Sequence, residues 1–338
     1  MARYFARHMR GRRSRNQRRI YIISAVLIIA VVVAFIYGHR SSGKDKGEGE
    51  TVQTPMESEA TDKMQPLAPE PILSEVAPEP TSEPNSQVAK LVAEAMALVN
   101  TKPPKIIEAR DRLNEILPTP MSGYQQSVVK KQLSELADKW LFTRTVFPQD
   151  RLCSTYKVEQ GDQLRMIGRR FKVPYEILLQ INKIARPQAL QAGETIKVIN
   201  GPFHVRVYRS TFTMDLYLQN TFVRSFPIGL GKPDMETPIG LWAVKSDGKL
   251  ISPTWTDPIS GKTYEAEDPD YPLGSRWIGL EGVKGEAVGR TGFAIHGTKN
   301  PEEIGTAGSQ GCIRLLNGDV VLVYNLLVPR YSRVEVVE

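Results

Sequence analysis

An uncharged, apolar segment from Ile20 to Gly38 constrains the chain more than any other feature of the sequence. As a helix rising ~1.5 Å per residue it would be about 28 Å long, close to the ~30 Å hydrocarbon core of a bilayer. Residues 1–20 contain eight arginines and no acidic residue, and basic flanks stay on the cytoplasmic side. We therefore expect a basic cytoplasmic tail at 1–19, a single transmembrane helix at 20–38, and an extracytoplasmic location (periplasm or cell wall) for the rest.

A cleaved signal peptide is the main alternative to this anchor. The apolar region of a signal peptide is usually ~7–15 residues long and ends at small residues. Here the apolar run is longer and ends in Phe35, Ile36 and Tyr37. The pattern therefore favours an uncleaved anchor over a signal peptide, and also over a buried core helix at the N-terminus.

The net charge of +7 is concentrated in the N-terminal tail. Without the eight arginines of that tail, the chain has 36 basic and 37 acidic residues, so a basic face for nucleic acid is not expected. Two cysteines are too few for a disulfide scaffold or a cysteine-rich zinc module, and four scattered histidines do not indicate a metal site. We predict no nucleic-acid partner, no metal and no cofactor.

Residues 39–86 have the composition of a disordered linker, with seven prolines and ten acidic residues and too little apolar surface to offset chain entropy. Residues 87–145 show apolar residues at helical spacing in three runs, interrupted at Pro103–Pro104 and at Pro118. We predict a small helical spacer with Ser86 as its first N-cap. The sequence assigns this spacer no function.

Residues 154–200 have a different pattern, in which a short strand, two short helices and a second strand follow one another. The segment opens with Y-K-V-E-Q-G-D-Q-L and closes with L-Q-A-G-E-T-I-K-V. It resembles the LysM module, which implies binding to the N-acetylglucosamine of peptidoglycan or chitin glycan strands. The resemblance places the glycan groove near the opening loop and the start of the second helix, at Gly161, Asp162, Gln163, Leu164, Pro174 and Asn182.

Two of those residues also have a structural interpretation. Gly161 permits a tight turn, and Asp162 is suited to cap the first helix of the module. The residue pattern favours these structural roles over direct ligand contact.

Residues 202–338 are rich in strand patterns, with runs at 203–209, 213–219, 221–228 and 239–245. One helix is predicted from Asp319 to Leu327 with Asn317 as its N-cap, and an edge strand from Arg333 to Val337. The expected fold class is thus multidomain. It combines a transmembrane helix, a small α-helical region, a βααβ module and a C-terminal β-rich sandwich with one packed helix.

A histidine and a cysteine stand out in this C-terminal part. Phe293 to Ile295 form a short apolar strand that ends at His296, and Cys312 follows sixteen positions later after a glycine-rich loop. A thiolate needs a base, because a free thiol with a pKa of ~8.5 is mostly protonated at neutral pH. A return of the loop would bring the two side chains together, but spacing alone leaves a buried, unreactive cysteine equally open.

The residues around this pair resemble the catalytic domain of L,D-transpeptidases, the YkuD-type fold. The matching elements are I-H-G-T at 295–298, S-Q-G-C-I-R at 309–314, E-T-P-I-G at 236–240 and P-L-G-S-R-W at 272–277. Many members have a histidine where this chain has Gln310.

The resemblance implies a role for each matched residue. Cys312 is the nucleophile and His296 the base, oriented by the backbone carbonyl of Gly297. The amides of Gly311 and Cys312 form the oxyanion hole, Arg314 supports the site or holds a substrate carboxylate, and Ser309 shapes the loop. Because Gln310 cannot titrate, any help that a histidine there would give to thiolate formation is absent.

The implied reaction is acyl transfer on the tetrapeptide stems of peptidoglycan. Cys312 would attack the bond after the third stem residue, release the terminal D-alanine and pass the acyl group to an amine, giving a cross-link. Water, a D-amino acid or a protein lysine could replace that amine. An L,D-carboxypeptidase and a non-catalytic LysM protein that tethers membrane to wall are the alternative functions.

Several weaker signals remain. The loop-rich stretch 246–290 contains carboxylates that would attract the amine of the third stem residue, or form an ordinary solvated turn: Glu265, Glu267, Asp268 and Asp270. Ser246 to Lys249 match S-x-x-K without its partner motifs, and Ser309 lies in an incomplete G-x-S-x-G. A Cys153–Cys312 disulfide, which would inactivate the enzyme, is disfavoured against a free or buried Cys153.

Overall fold

The computed structural model describes Thr81 and residues 83–338. The predicted cytoplasmic tail, the predicted transmembrane helix and almost all of the predicted linker lie outside these residues. Within the described part of the chain, no helix is long and apolar enough to cross a membrane.

The first folded region consists of three helices, α1 (Ser86–Val99), α2 (Ile106–Ile116) and α3 (Gly123–Trp140). Leu113, Leu133 and Trp140 are fully buried between them. Asn85, not Ser86, is the N-cap of α1, because its side chain accepts the N–H groups of Gln87 and Val88. Helix α3 begins with a capping box between Ser122 and Gln125.

The second region has the predicted strand–helix–helix–strand order. Strand β1 (Cys153–Lys157) pairs antiparallel with β2 (Thr195–Ile199), and between them lie α4 (Leu164–Arg170) and α5 (Tyr175–Asn182). Cys153 is buried and both Cys153 and Cys312 are free thiols, so the disulfide considered above does not form.

The C-terminal region contains twelve strands. They are β3 (Phe203–Tyr208), β4 (Thr213–Leu218), β5 (Thr221–Pro227), β6 (Leu230–Gly231), β7 (Gly240–Leu250), β8 (Trp255–Thr256), β9 (Thr263–Tyr264), β10 (Trp277–Gly285), β11 (Ala294–His296), β12 (Ala307–Ser309), β13 (Ile313–Arg314) and β14 (Arg333–Val337). Helix α6 (Asn317–Tyr324) follows β13.

Eight of these strands form one continuous sheet in the order β13-β11-β10-β7-β14-β3-β4-β5. The predicted β-rich character of this region is therefore confirmed, with most of the main strands joined in a single hydrogen-bonded sheet. The long strands β7 and β10 pair with register shifts after Ile278 and after Gly282, and such bulges bend a sheet without breaking it. The loop-rich stretch 246–290 is shorter than predicted, because β7 extends to Leu250 and β8 pairs with β9.

Two predictions for the C-terminus are also wrong. Strand β14 is central, between β7 and β3; its polar residues are compatible with this position because Glu335 pairs with Arg206 of β3 at 2.7 Å. Helix α6 begins at Asn317 with Leu316 as its N-cap. The Asn317 side chain is used elsewhere, since it accepts the Ser275 N–H and donates to the Thr298 carbonyl.

Helix α3 contacts both of the other folded regions. Towards the sheet, Lys130 forms a buried ion pair with Asp215 of β4 at 2.7 Å. Towards the βααβ module, the buried ammonium of Lys197 on β2 donates to the carbonyls of Trp140, Thr143 and Thr145 at and after the end of α3. A cation at a helix C-terminus satisfies carbonyls that have no partner within the helix.

Candidate active site

Two neighbouring strands bring His296 and Cys312 to one face of the sheet. Strands β11 and β13 are parallel, with Ile295 opposite Ile313 and His296 opposite Arg314. Since side chains alternate along a strand, Cys312, two residues before Arg314, lies on the same face as His296. The loop between β11 and β13 therefore folds back as predicted and places Cys312 on the same side of the sheet as His296.

His296 is buried at the end of β11, and its contacts fix the orientation of the ring. Its Nδ1 lies 2.6 Å from the carbonyl oxygen of Gly297, so Nδ1 carries the proton and Nε2 is the basic nitrogen. Trp277 of β10 stacks on the imidazole with ring centroids 5.6 Å apart and planes 14° apart. Burial, reinforced by the charge of Arg314, lowers the pKa of His296 to about 4, so the imidazole is neutral at neutral pH.

Cys312 is half-buried beside the loop that connects β10 to β11. Its thiol contacts the carbonyl oxygen of Gly292 at 3.6 Å. Burial raises the pKa of Cys312 to about 11, although the Ala294 backbone and the charge of Arg314 both favour the thiolate. Burial thus favours the uncharged thiol of Cys312 and the uncharged imidazole of His296 at neutral pH.

The loop before Cys312 is held by two buried hydroxyls. Ser309 Oγ donates to the Cys312 carbonyl at 2.7 Å and accepts the Gly311 N–H at 3.1 Å. Thr237 Oγ1 donates to the Gly311 carbonyl at 2.9 Å and accepts the Gly231 N–H at 3.3 Å. The predicted loop-shaping role of Ser309 thus has a direct geometric basis.

The bond from Thr237 also sets the direction of the Cys312 N–H. The Gly311 carbonyl and the Cys312 N–H belong to one planar trans peptide, in which they point in opposite directions. Because Thr237 holds the carbonyl, it fixes the amide that is predicted to stabilise the oxyanion. The Gly311 N–H, the other predicted donor, is directed at Ser309 Oγ in this structure.

Glycine is required at Gly311 itself. Its φ is +105°, and a Cβ there would lie 2.7 Å from Cε1 of Phe293. A side chain would therefore strain the backbone and collide with the aromatic ring of Phe293.

Arg314 is engaged by the protein. Its guanidinium pairs with Glu303 at 2.6 Å, and the same carboxylate accepts the hydroxyl of the buried Thr298 at 3.0 Å. Arg314 has two predicted roles, to support the site or to hold a substrate carboxylate. The ion pair favours the first role, because it links β13 to the segment after His296.

Gln310 is exposed, and its Nε2 lies 3.4 Å from a carboxylate oxygen of Asp257 in the β8–β9 hairpin. The four acidic residues predicted to attract an amine are exposed, and three of them have local partners. Glu265 accepts the Thr254 hydroxyl, Asp268 accepts the Glu265 N–H, and Asp270 pairs with Lys299.

The predicted glycan-binding residues of the βααβ module divide into two groups. Gly161 (φ +90°), Asp162, Gln163 and Pro174 lie at the surface, around the place where Arg165 lies over the Tyr175 ring at 5.6 Å. Leu164 and Asn182 are buried, and Asn182 bonds to the backbone of Lys197 and Leu178, so neither of these side chains is available to a glycan in this structure.

Asp162 does not cap α4, contrary to prediction. Gln163 is the N-cap and makes no side-chain capping bond. The Asp162 carboxylate instead accepts the Tyr156 hydroxyl and the Glu159 N–H, both at 2.8 Å, and these bonds lower the pKa of Asp162. Asp162 therefore stabilises the turn after β1.

Comparison with known proteins places this geometry in a family. The L,D-transpeptidase catalytic domain of the YkuD family matches residues 202–336, and the LysM domain matches residues 156–198. The Bacillus subtilis protein that carries the L,D-transpeptidase name YkuD is 32% identical over 189 residues, which are 54% of this chain and 98% of that protein. The chain belongs to the L,D-transpeptidase family.

Other relatives of this L,D-transpeptidase are similarly distant. YqjB of Bacillus subtilis, also named as an L,D-transpeptidase, is 35% identical over 127 residues, which are 38% of this chain and 67% of that protein. Among solved structures, L,D-transpeptidase 3 from Mycobacterium tuberculosis in complex with a faropenem-derived adduct aligns over 43% of this chain and 65% of its own, at 18% identity and a TM-score of 0.33.

Sequence reasoning missed three residues that build the site of this L,D-transpeptidase. Thr237 lies in the family element E-T-P-I-G and Trp277 in P-L-G-S-R-W. The residues next to them in sequence do not indicate that Thr237 bonds to Gly311 or that Trp277 stacks on His296. Asn317 was assigned as a helix cap, yet it joins the segments before Trp277 and after His296 through Ser275 and Thr298.

Proposed function

We propose that this family member is a peptidoglycan L,D-transpeptidase in which Cys312 is the nucleophile and His296 the general base. The observation that carries the proposal is the orientation of His296. The Gly297 carbonyl binds Nδ1–H at 2.6 Å, so Nε2 is the nitrogen left to accept a proton on the sheet face that also holds the thiol.

The first half-reaction follows from the neutral resting pair. As Cys312 Sγ attacks the carbonyl carbon after the third stem residue, the thiol proton passes to His296 Nε2. The Cys312 N–H, oriented through Thr237, meets the developing oxyanion, where a preorganised donor is most effective. His296 then gives the proton to the leaving amine, D-alanine departs, and a thioester remains on Cys312.

The LysM module is proposed to hold the glycan strand that carries the stem, and the segment 20–38 to anchor the chain in the membrane with its N-terminus in the cytoplasm. Both proposals fit a cell-wall substrate. The exposed surface around Gly161, Gln163 and Pro174 supports glycan contact at those residues.

Intact-mass spectrometry of the full chain, incubated with a disaccharide-tetrapeptide, tests the proposed function. Cys312→Ala removes the nucleophile, and Cys153→Ala is the matched control, because Cys153 is the other free thiol and lies outside the site. We expect a thioester adduct and a cross-linked dimer with the wild type and with Cys153→Ala, and neither product with Cys312→Ala.

The alternatives give different products. Tripeptide and free D-alanine without dimer would assign the chain as an L,D-carboxypeptidase. Unchanged substrate and no adduct, with folded and reduced protein, would support the non-catalytic tethering function and would contradict the proposal.

A further inference from the structure

The antiparallel pairing of β10 with β11 becomes irregular one residue beyond His296. The register that places Trp277 opposite His296 also places Arg276 opposite Gly297. The Gly297 N–H donates to the Arg276 carbonyl at 3.2 Å, as in a regular ladder. Among the backbone hydrogen bonds of residues 83–338, the return bond from the Arg276 N–H to the Gly297 carbonyl is not formed. The Gly297 carbonyl instead lies 2.6 Å from His296 Nδ1.

This half-formed pair lies where two bonds are expected. Residue pairs that exchange both backbone bonds recur at every second position of an antiparallel ladder. The Leu280 N–H donates to the Phe293 carbonyl at 2.9 Å, which marks one such position. Arg276 and Gly297 lie four residues further along their strands, so they occupy another. The carbonyl that orients His296 is thus one that has left the ladder.

The side chain of Asn317, the first residue of α6, bridges the two segments immediately beyond this pair. Its Oδ1 accepts the Ser275 N–H at 3.2 Å, and its Nδ2 donates to the Thr298 carbonyl at 2.9 Å. Ser275 precedes the irregular pair on one segment, and Thr298 follows it on the other. One carboxamide therefore holds both segments at the point where the ladder opens.

Two glycines make room for this carboxamide. A Cβ on Gly274 would lie 2.1 Å from Asn317 Oδ1, and a Cβ on Gly297 would lie 2.2 Å from the same atom. Both distances are well below the 3.0 Å that Cβ atoms keep from other heavy atoms. Helix α6 is itself anchored by Val320 and Val323, which are fully buried. Packing as well as hydrogen bonding therefore fixes the carboxamide against both segments.

We propose that Asn317 is a positioning residue for the general base. Its carboxamide keeps the Gly297 carbonyl on His296 Nδ1 and out of the ladder. Without it, the Arg276 N–H would form the second ladder bond and turn the Gly297 carbonyl away from the imidazole. His296 would then lose the acceptor that places its proton on Nδ1 and leaves Nε2 basic. The inference rests on the proposed function, because it concerns the base of that reaction.

The tautomer of His296 is the direct readout of this role. In the full chain with isotope-labelled histidine, nitrogen NMR shows which ring nitrogen carries the proton, and His296→Gln identifies the signals of this residue by their loss. We expect the proton on Nδ1 in the wild type and a mixture of both tautomers in Asn317→Ala. A change that only loosened the fold would lower Tm without altering this distribution.

The rate at which a disaccharide-tetrapeptide acylates Cys312, followed by intact mass, is the functional readout. General acid–base catalysis contributes roughly 10²–10⁴-fold to a rate, so we expect Asn317→Ala to slow acylation about tenfold or more. Asn325→Ala is the matched control, because Asn325 caps the other end of α6 through its backbone N–H. This control leaves both the acylation rate and the tautomer unchanged.

A second variant, Asn317→Asp, separates positioning from stability. One carboxylate oxygen still accepts the Ser275 N–H, whereas the other faces the Thr298 carbonyl and repels it. Because a negative charge in the first turn of a helix is favourable, Tm stays near the wild-type value. We expect the mixed tautomer and the slow acylation in a protein as stable as the wild type. This variant also carries the test if Asn317→Ala does not fold.

Two results would overturn the proposal. An unchanged His296 tautomer in both variants would mean that the Gly297 carbonyl stays in place without the carboxamide. A lower Tm with wild-type acylation would make Asn317 a structural residue only. If the wild type forms no thioester on Cys312, the proposed function fails, whereas the tautomer comparison still decides whether Asn317 orients His296.

Discussion

Replacing Thr237 by valine tests whether a single hydroxyl, distant in sequence, orients the loop before Cys312. Valine has nearly the same shape, so the change removes two hydrogen bonds and little packing. The Gly311 carbonyl and the Gly231 N–H, which lie 2.9 and 3.3 Å from Thr237 Oγ1, would then lose their hydrogen-bond partner. Thr237 is buried, so water does not readily replace the hydroxyl.

The cost can be worked from those two contacts. A buried polar group left without a partner costs roughly 1–3 kcal/mol, and the longer bond belongs at the low end. The loss of both hydrogen bonds therefore lowers the free energy of unfolding by about 3 kcal/mol. For a folded region of this length, that corresponds to a fall in Tm of roughly 6–12 °C. Urea unfolding followed by tryptophan fluorescence measures the change.

Activity separates a positioning role from a purely structural one. Because the freed peptide no longer holds the Cys312 N–H in place, we expect kcat for D-alanine release to fall roughly tenfold or more, with a smaller change in KM. Thr237→Ser keeps the hydroxyl and restores kcat. A valine variant with wild-type kcat, or a serine variant as slow as the valine, would refute the reasoning.

Three further predictions concern other parts of the chain. Gly311→Ala abolishes thioester formation in the mass assay, because of its φ of +105° and the 2.7 Å contact with Phe293, whereas Gly308→Ala, with no neighbour closer than 3.8 Å, retains it. Lys197→Met lowers the unfolding free energy by about 2–3 kcal/mol and speeds proteolysis within 141–152, whereas the exposed Lys131→Met does neither. Burial lowers the pKa of both His204 and His296 to about 4, so the folded state binds fewer protons than the unfolded state. The free energy of unfolding, measured by urea titration, therefore falls as pH drops from about 6.5 to about 4, by up to roughly 3 kcal/mol per histidine, and His204→Gln reduces this pH dependence.

The parts of the site that sequence could predict are those joined by a short stretch of chain. His296 and Cys312 are sixteen residues apart on adjacent parallel strands, so motif and spacing were sufficient. The contact between Gly297 and His296 is between neighbours in sequence. Thr237 reaches Gly311 across 74 residues, and no local pattern contains that pairing.

The same limit explains the wrong position of strand β14, and competition for side chains explains the wrong helix caps. Alternation along Arg333–Val337 correctly indicates one covered face, but it does not reveal the neighbouring strands, and β14 proved central. Asp162 and Asn317 were both assigned to helix caps because short polar residues favour that position. Other partners bind these side chains instead: Tyr156, six residues away, for Asp162, and Thr298 of a different segment for Asn317.

The buried ammonium of Lys197 has a consequence for how this enzyme would reach its substrate. A module on a flexible tether raises the local concentration of its partner over a wide volume but leaves orientation free. Here the last residue of α3, Trp140, and the segment after it are bonded to Lys197 of the LysM module, and α3 is bonded to the large sheet through Lys130 and Asp215. If LysM binds glycan as proposed, these bonds would restrict the movement of a bound glycan strand relative to Cys312. The helical region would then affect which stems of that strand reach Cys312.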